Sequence, residues 1–427
     1  MNPPGRRKFL AGAGAVALAG LAAACAEQEE AAGETTDSTA PDISTEEPPL
    51  VRTPSVSPAQ PVSFRSARQL GVLEAPQAAG VVAAFDVATT DRAALATTMA
   101  TLSTEIERIM SAGAATEADL ILPPPDTGLI DPAVGTAGTA ITVAVGASLF
   151  DDRFGLADQR PAELIQMPRF FNDRLVQPAL SDGDLALLIT GPSPQAVVYA
   201  LQQAVRVGAP NLRLRWVQEG YNDLLPPEVG AVAASRNLMG FRDGTSNLDT
   251  TDAEVMNEHV WVQDGDPEPS WTTGGTYLAV RTIRILVEFW GTAALVRQEQ
   301  IVGRHRDTGA PLGQETEGEE PVFATDQSDQ AIPAVSHIRR ANPREPGTGR
   351  ILRRGFSFTN GVDVNSGTLD QGLLFTCFQR SLSRGFFEVQ QRLEGEPMED
   401  YVKPVGGGLF FIQPGPGDGP LLADLLA

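Results

Sequence analysis

Cysteine and lysine are nearly absent from this 427-residue chain, and histidine is scarce. Its two cysteines, Cys25 and Cys377, cannot build a disulfide framework, whatever the compartment. Cys377 sits in the apolar run 373–378 and reads as a small buried hydrophobe. Lys8 and Lys403 are the only lysines, so positive charge is almost all arginine, which suits fixed pairing with carboxylates; codon bias is the competing explanation. The three histidines, His259, His305 and His337, form no cluster of the kind a zinc enzyme needs. HExxH, P-loop and GxSxG patterns are missing as well. A formal net charge of −22 excludes nucleic acid as the expected partner, because phosphate binding needs clustered Lys and Arg.

What is present starts with an export signal. Arg6 and Arg7 lead into Lys8, Phe9 and Leu10, and an Ala- and Gly-rich apolar run covers 11–24. That run is short for a membrane span and matches a removed twin-arginine signal, residues 1–25, of the type that exports folded proteins. Cys25 follows Leu21-Ala22-Ala23-Ala24, which resembles a lipoprotein cleavage site with the leucine one place early. The outcome is either a membrane tether through Cys25 or ordinary signal-peptidase cleavage. Residues 26–61 are acidic and rich in Pro, Ser and Thr, the composition of a disordered linker.

The remainder, at 42% hydrophobic content for the whole chain, is enough for one large or two fused domains. Strands are expected at 80–87, 140–145, 185–190 and 212–217. Helices are expected from Asp91 through Leu95, Met99, Leu102, Ile106 and Ile109, and from Ser193 through Val197, Leu201 and Val205. A second set follows: strands at 277–288, 356–359 and 372–378, with helices at 291–300 and 381–393. The fold class is α+β, two similar halves at 62–225 and 226–427, antiparallel sheets with peripheral helices. Between the two sets, 220–275 is polar and loop-rich, where function is usually carried.

That loop holds Asn237-Leu238-Met239-Gly240-Phe241-Arg242-Asp243-Gly244-Thr245-Ser246-Asn247. Asp243, beside Arg242 and between two glycines, is either an Asp-Gly turn or a fixed proton-transfer group. His337 follows an apolar stretch and precedes Arg339, Arg340 and Arg344. It is either structural or the single imidazole that a haem iron needs, with arginines to meet the propionates. Arg353 and Arg354 lead into an aromatic strand, and a buried arginine there must find an anion. Peroxide activation at haem needs an imidazole, a proton-moving group and a fixed cation; Asp243, His337 and Arg353 supply these types.

Gly240-Phe241-Arg242-Asp243-Gly244 resembles the GxxDG motif of the dye-decolorizing peroxidase family. Ile301-Val302-Gly303-Arg304, His337 and Leu352-Arg353-Arg354-Gly355 are similar to its other landmarks, in order, across about 62–412. The twin-arginine signal resembles the exported subgroup that includes deferrochelatase/peroxidase proteins. The resemblance implies two ferredoxin-like halves, one haem b per chain in the second half, and reduction of hydrogen peroxide with oxidation of dyes, phenolics or similar donors through an oxoferryl porphyrin radical. By that resemblance His337 is the iron ligand, Asp243 the distal acid/base, and Arg353 the distal arginine, with Arg354 the alternative. Arg242, Arg304 and Arg354 are candidate haem contacts; for Arg304 an ion pair is the alternative. The partner of His337 is sought in Glu388 or Glu396, with Glu396 preferred. Trp216, Trp261, Trp271, Trp290, Tyr221, Tyr277 and Tyr401 are packing residues or radical relays. Competing functions are iron release from haem, a non-catalytic haem carrier in iron uptake, and a haem-free binding domain. The oligomeric state, a homo-oligomer included, is left open.

Overall fold

Residues 79–87 combine β-branched and small apolar side chains, and they form β1 (Ala79–Val87), buried throughout except for a half-covered Asp86. The computed structural model describes residues 63–113, 121–131, 134–224, 236–323, 331–345 and 347–427. The signal, the linker and Cys25 lie outside the described residues. Asp91 caps α1 (Arg92–Met110) by accepting the amide of Ala93, and Leu95, Met99, Leu102, Ile106 and Ile109 form its buried stripe. β2 (Ala140–Gly146) and β3 (Leu185–Gly191) are wholly buried. Ser193 caps α2 (Pro194–Gly208), with proline at the first turn. β4 (Leu212–Tyr221) is half-exposed as read from sequence, but its alternation breaks at Leu214, which is exposed beside Arg213 and Arg215 where the pairing with β1 shifts register.

The second run contains α3 (Ala253–His259), β5 (Thr276–Ile285), α4 (Val287–Trp290), α5 (Leu295–Val302) and α6 (His337–Ala341). It continues with β6 (Leu352–Arg353), β7 (Phe356–Asp363), β8 (Thr368–Gln379), α7 (Glu388–Leu393), β9 (Val402–Ile412) and α8 (Ala423–Leu426). Three expectations are corrected. The strand at 277–288 stops at Ile285, and α4 begins at Val287. The helix at 291–300 is replaced by α4 and α5. The helix at 381–393 opens as a π-helical turn, Ser383–Phe387, before α7. β9 was not foreseen at all.

The strand order is β5-β9-β2-β3-β1-β4-β7-β8-β6, and β5 also pairs with β8, so the sheet closes into a ring. In each half the first strand lies between the third and fourth: β1 between β3 and β4, β5 between β8 and β9. That is the ferredoxin-like arrangement, with helices outside. Two short ladders join the halves in equivalent ways, β2 with β9 at Ala144↔Ile412 and β4 with β7 at Tyr221↔Ser357. Val82, Leu188, Val280, Phe378 and Phe410 share one core drawn from both halves, the inside of the ring. The alternate residues Val81, Ala83 and Phe85 face α1 and α2.

A buried ion pair joins the two halves. The loop carrying Asp173, between β2 and β3, reaches Arg281 on β5, whose Nη1 lies 3.0 Å from Asp173 Oδ2. Both side chains are almost completely covered, at 3% and 2% exposure, and Arg281 stacks over Phe170. A buried charge that loses its partner is costly. Replacement Asp173→Ala is expected to lower unfolding stability by about 3–5 kcal/mol, with partial recovery on adding Arg281→Met. Chemical denaturation of the purified proteins measures this, and a loss of under about 1 kcal/mol, as for an exposed pair, contradicts it.

Candidate active site

The Asp243 loop is shaped by its own side chains and glycines. Asn237 Oδ1 accepts the amides of Met239 and Phe241 at 3.1 and 3.3 Å. Gly240 and Gly244 adopt φ +87° and +92°, conformations that favour glycine. Phe241 and Met239 are buried against Ile285, Trp290 and Ile301, and the indole N–H of Trp290 donates to the Met239 carbonyl at 2.9 Å. The apolar neighbours therefore fix the loop that carries the carboxylate.

Asp243 Oδ1 accepts the amide of Gly244 at 2.8 Å and faces Arg353 Nη1 at 3.4 Å. Arg353 is held at its backbone by Asn247: the Arg353 amide donates to Asn247 Oδ1 at 3.0 Å and Asn247 Nδ2 donates to the Arg353 carbonyl at 2.8 Å. Its Nη2 donates to the carbonyl of Thr245 at 3.0 Å. Arg354 is a correction: successive side chains on an extended backbone point to opposite faces, and its Nη2 turns to the Leu73 carbonyl at 3.3 Å, away from the cavity.

His337 begins α6, and its Nδ1 lies 2.9 Å from Glu396 Oε2 and 3.0 Å from Oε1. Burial pulls the imidazole towards neutrality, but the charge and hydrogen bond of Glu396 outweigh it and raise its pKa, with Arg353 opposing and Asp243 assisting. Nδ1 is committed to Glu396, so Nε2 is the nitrogen left for a metal. Glu388 instead pairs with Arg392.

These groups share one cavity of about 740 Å³, inside the roughly 300–1,000 Å³ range of cofactor sites. Its apolar wall comes from Met239, Phe241, Ile283, Val302, Leu373, Phe375, Phe386 and Phe387. The second half supplies most of it, but Arg169–Asp173 of the first half complete one side, which the sequence reading did not foresee. Arg304 is buried and donates to the Gly309 carbonyl at 2.7 Å and to Ser246 Oγ at 2.9 Å. Burial and the nearby Arg344 bring its pKa down to about 10, so it remains charged at neutral pH. Arg242 pairs with Glu317, and its buried Nε has no hydrogen-bond partner among the described residues. Arg344 reaches the same Ser246 Oγ at 3.2 Å. A lone metal-ready imidazole, an apolar slot and surplus guanidinium groups suit an anionic, iron-bearing planar cofactor such as haem.

The other candidates lie elsewhere. His305 pairs with Glu299 at 3.5 Å, and His259 is half-buried beside Glu258; neither lines the cavity. Trp216 donates to the Asp182 carbonyl, and Trp261 lies beneath the Arg68 guanidinium. Sequence reasoning assigned no role to Asn247, Glu317 or Asp173. Asn247 lies inside the motif stretch and its amide type was the available signal; the other two gave none.

Comparisons with known proteins agree with this geometry. The "Dyp-type peroxidase, N-terminal" family model matches residues 69–222, and "Dyp-type peroxidase, C-terminal" matches 234–416. A deferrochelatase of Escherichia coli O6:K15:H31 (strain 536) is 41% identical over 418 residues, covering 97% of this chain and 95% of that protein. The oxyferrous DtpA structure from Streptomyces lividans matches with a TM-score of 0.78 at 30% identity, over 87% of this chain and 98% of that one. A DyP-type peroxidase structure from Cellulomonas bogoriensis gives 0.76 at 29% identity, over 86% and 99%. With both family models matching nearly all of the described chain, the protein belongs to the Dyp-type peroxidase family and is a haem-dependent peroxidase.

Proposed function

We propose that this chain is an exported peroxidase holding one haem b, which reduces hydrogen peroxide and oxidises dyes, phenolics or similar organic donors. The observation that carries this is the meeting of Asp243 and Arg353, 3.4 Å apart, in the cavity that His337 also lines. Export rests on the twin-arginine pattern at Arg6 and Arg7.

Bound haem supplies a ferric iron that accepts peroxide and later passes oxidising equivalents to the donor. His337 Nε2 would hold that iron, while Glu396 accepts the Nδ1–H hydrogen bond, fixes the tautomer and strengthens the imidazole as a ligand. Arg242, Arg304 and Arg344, which line the cavity, would receive the propionates. Asp243 takes the proton of the inner peroxide oxygen and delivers it to the outer one, which leaves as water. Arg353 donates to the oxygen on which negative charge develops.

Iron release from intact haem is the second reading, favoured by the 41% identity to a deferrochelatase. Incubation with haem distinguishes them: iron-free porphyrin among the products supports it, whereas biliverdin does not.

Two outcomes test the main assignment. His337→Ala is expected to abolish haem retention, read as loss of the Soret band in purified protein supplied with haemin; a variant that keeps a normal band removes His337 as the ligand. Asp243→Asn is expected to keep the Soret band while slowing peroxide-dependent dye oxidation by about 10²–10⁴-fold, the range for a lost general acid/base. Steady-state rates decide it, and undiminished turnover removes Asp243 from the reaction.

A further inference from the structure

Glu317 is a buried carboxylate that no step above uses. It lies in an acidic stretch, Glu315 to Glu320, whose other members are mostly exposed. One of its oxygens pairs with Arg242 Nη1, and the other accepts the hydroxyl of Thr245 at 2.8 Å. Arg242 and Thr245 stand on either side of Asp243 in the chain. The carbonyl of Thr245 in turn accepts Arg353 Nη2, so Glu317 touches the supports of both members of the acid–cation pair.

The approach is built from the other side as well. Arg304 Nη1 donates to the Glu317 carbonyl at 3.3 Å, tying the segment to the cavity wall. Gly309 has φ +78°, and a Cβ there would come within 2.9 Å of Arg242 Cδ and 3.3 Å of Glu317 Cγ. Only glycine leaves room for this contact. Arg236 donates to the Gly240 and Asp307 carbonyls, the latter at 2.7 Å, stapling the same turn to the start of the Asp243 loop. Asp243 itself has few anchors, the Gly244 amide and the 3.4 Å contact with Arg353. Its position therefore depends on how its neighbours are held.

We propose that Glu317 is the positioning residue of the Asp243–Arg353 pair, clamping the loop through Arg242 and Thr245 so that carboxylate and guanidinium keep their separation. This rests on the assignment of that pair to peroxide cleavage. A purely structural Glu317 would affect folding and haem loading but not the distal geometry.

The test uses the haem-loaded full chain with Glu317→Ala, Glu317→Gln and Thr245→Val. Three quantities are read: the single-turnover rate with peroxide, the KM for the donor, and the affinity of the ferric protein for fluoride, an anion that reports hydrogen bonding from Arg353. Glu317→Ala is expected to slow the peroxide step by about 10²-fold, as an ångström-scale misplacement does. Fluoride binding should weaken in parallel while the donor KM stays unchanged. Glu317→Gln, which keeps an acceptor for Thr245, and Thr245→Val, which removes only that arm, should each show a smaller loss in the same two quantities. If the alanine variant fails to load haem, the isosteric glutamine variant decides. Normal fluoride affinity and peroxide rate in Glu317→Gln and Thr245→Val overturn the proposal. If Asp243→Asn proves fully active, the acid/base assignment falls, and fluoride affinity still judges Glu317 by itself.

Discussion

Closure of the strand ring is the constraint on which the rest of this structure depends. A ferredoxin-like half alone would leave the free edges of its outer strands open to pairing with other chains. Here the edges cap each other: β2 meets β9 and β4 meets β7. The joints are short, but each half contributes one outer strand to each, and the enclosed core is shared. Closure also places the loop before β3 against β5, so Asp173 can reach Arg281 and complete the cavity from the first half.

The cavity inherits its rigidity from that frame. β5 and β8 provide the apolar wall at Ile283, Leu373 and Phe375, and β6 carries Arg353 directly off β8 at Arg353↔Cys377. The guanidinium thus starts from a paired strand, while the carboxylate beside it sits on a loop. Sites on strands are held more closely than sites on loops. The extra side-chain ties around 242–247 compensate for the weaker support under Asp243.

Local signals in the sequence were strong where the structure is local. Asp91 and Ser193 cap the helices they were expected to cap, and the Leu95–Ile109 stripe is buried as its spacing requires. β9 was hidden because Pro404 and three consecutive glycines contradict strand propensity. The physical reason is close packing: a Cβ on Gly406 would meet the Leu180 carbonyl at 2.3 Å, and one on Gly407 the Val280 carbonyl at 2.0 Å. The motif loop and His337 were legible as chemistry-bearing residues, and family resemblance ordered them. Glu317 and Asp173 were not, because their roles come from contacts with residues 72 and 108 positions away.

The distribution of charge explains why so acidic a chain concentrates arginine in one place. Its formal charge is −22, yet Arg242, Arg304, Arg344, Arg350 and Arg353 all line a single cavity. Some of that charge is answered internally, Arg242 by Glu317 and Arg353 by Asp243. Arg304 has no carboxylate within ion-pair distance among the described residues, and burial lowers the pKa of both Arg304 and Arg350. Burying guanidinium groups without full compensation is unfavourable. The arginine-lined side of the cavity therefore suits an anionic ligand, and His337, whose Nδ1 is engaged by Glu396, leaves its Nε2 available to a metal.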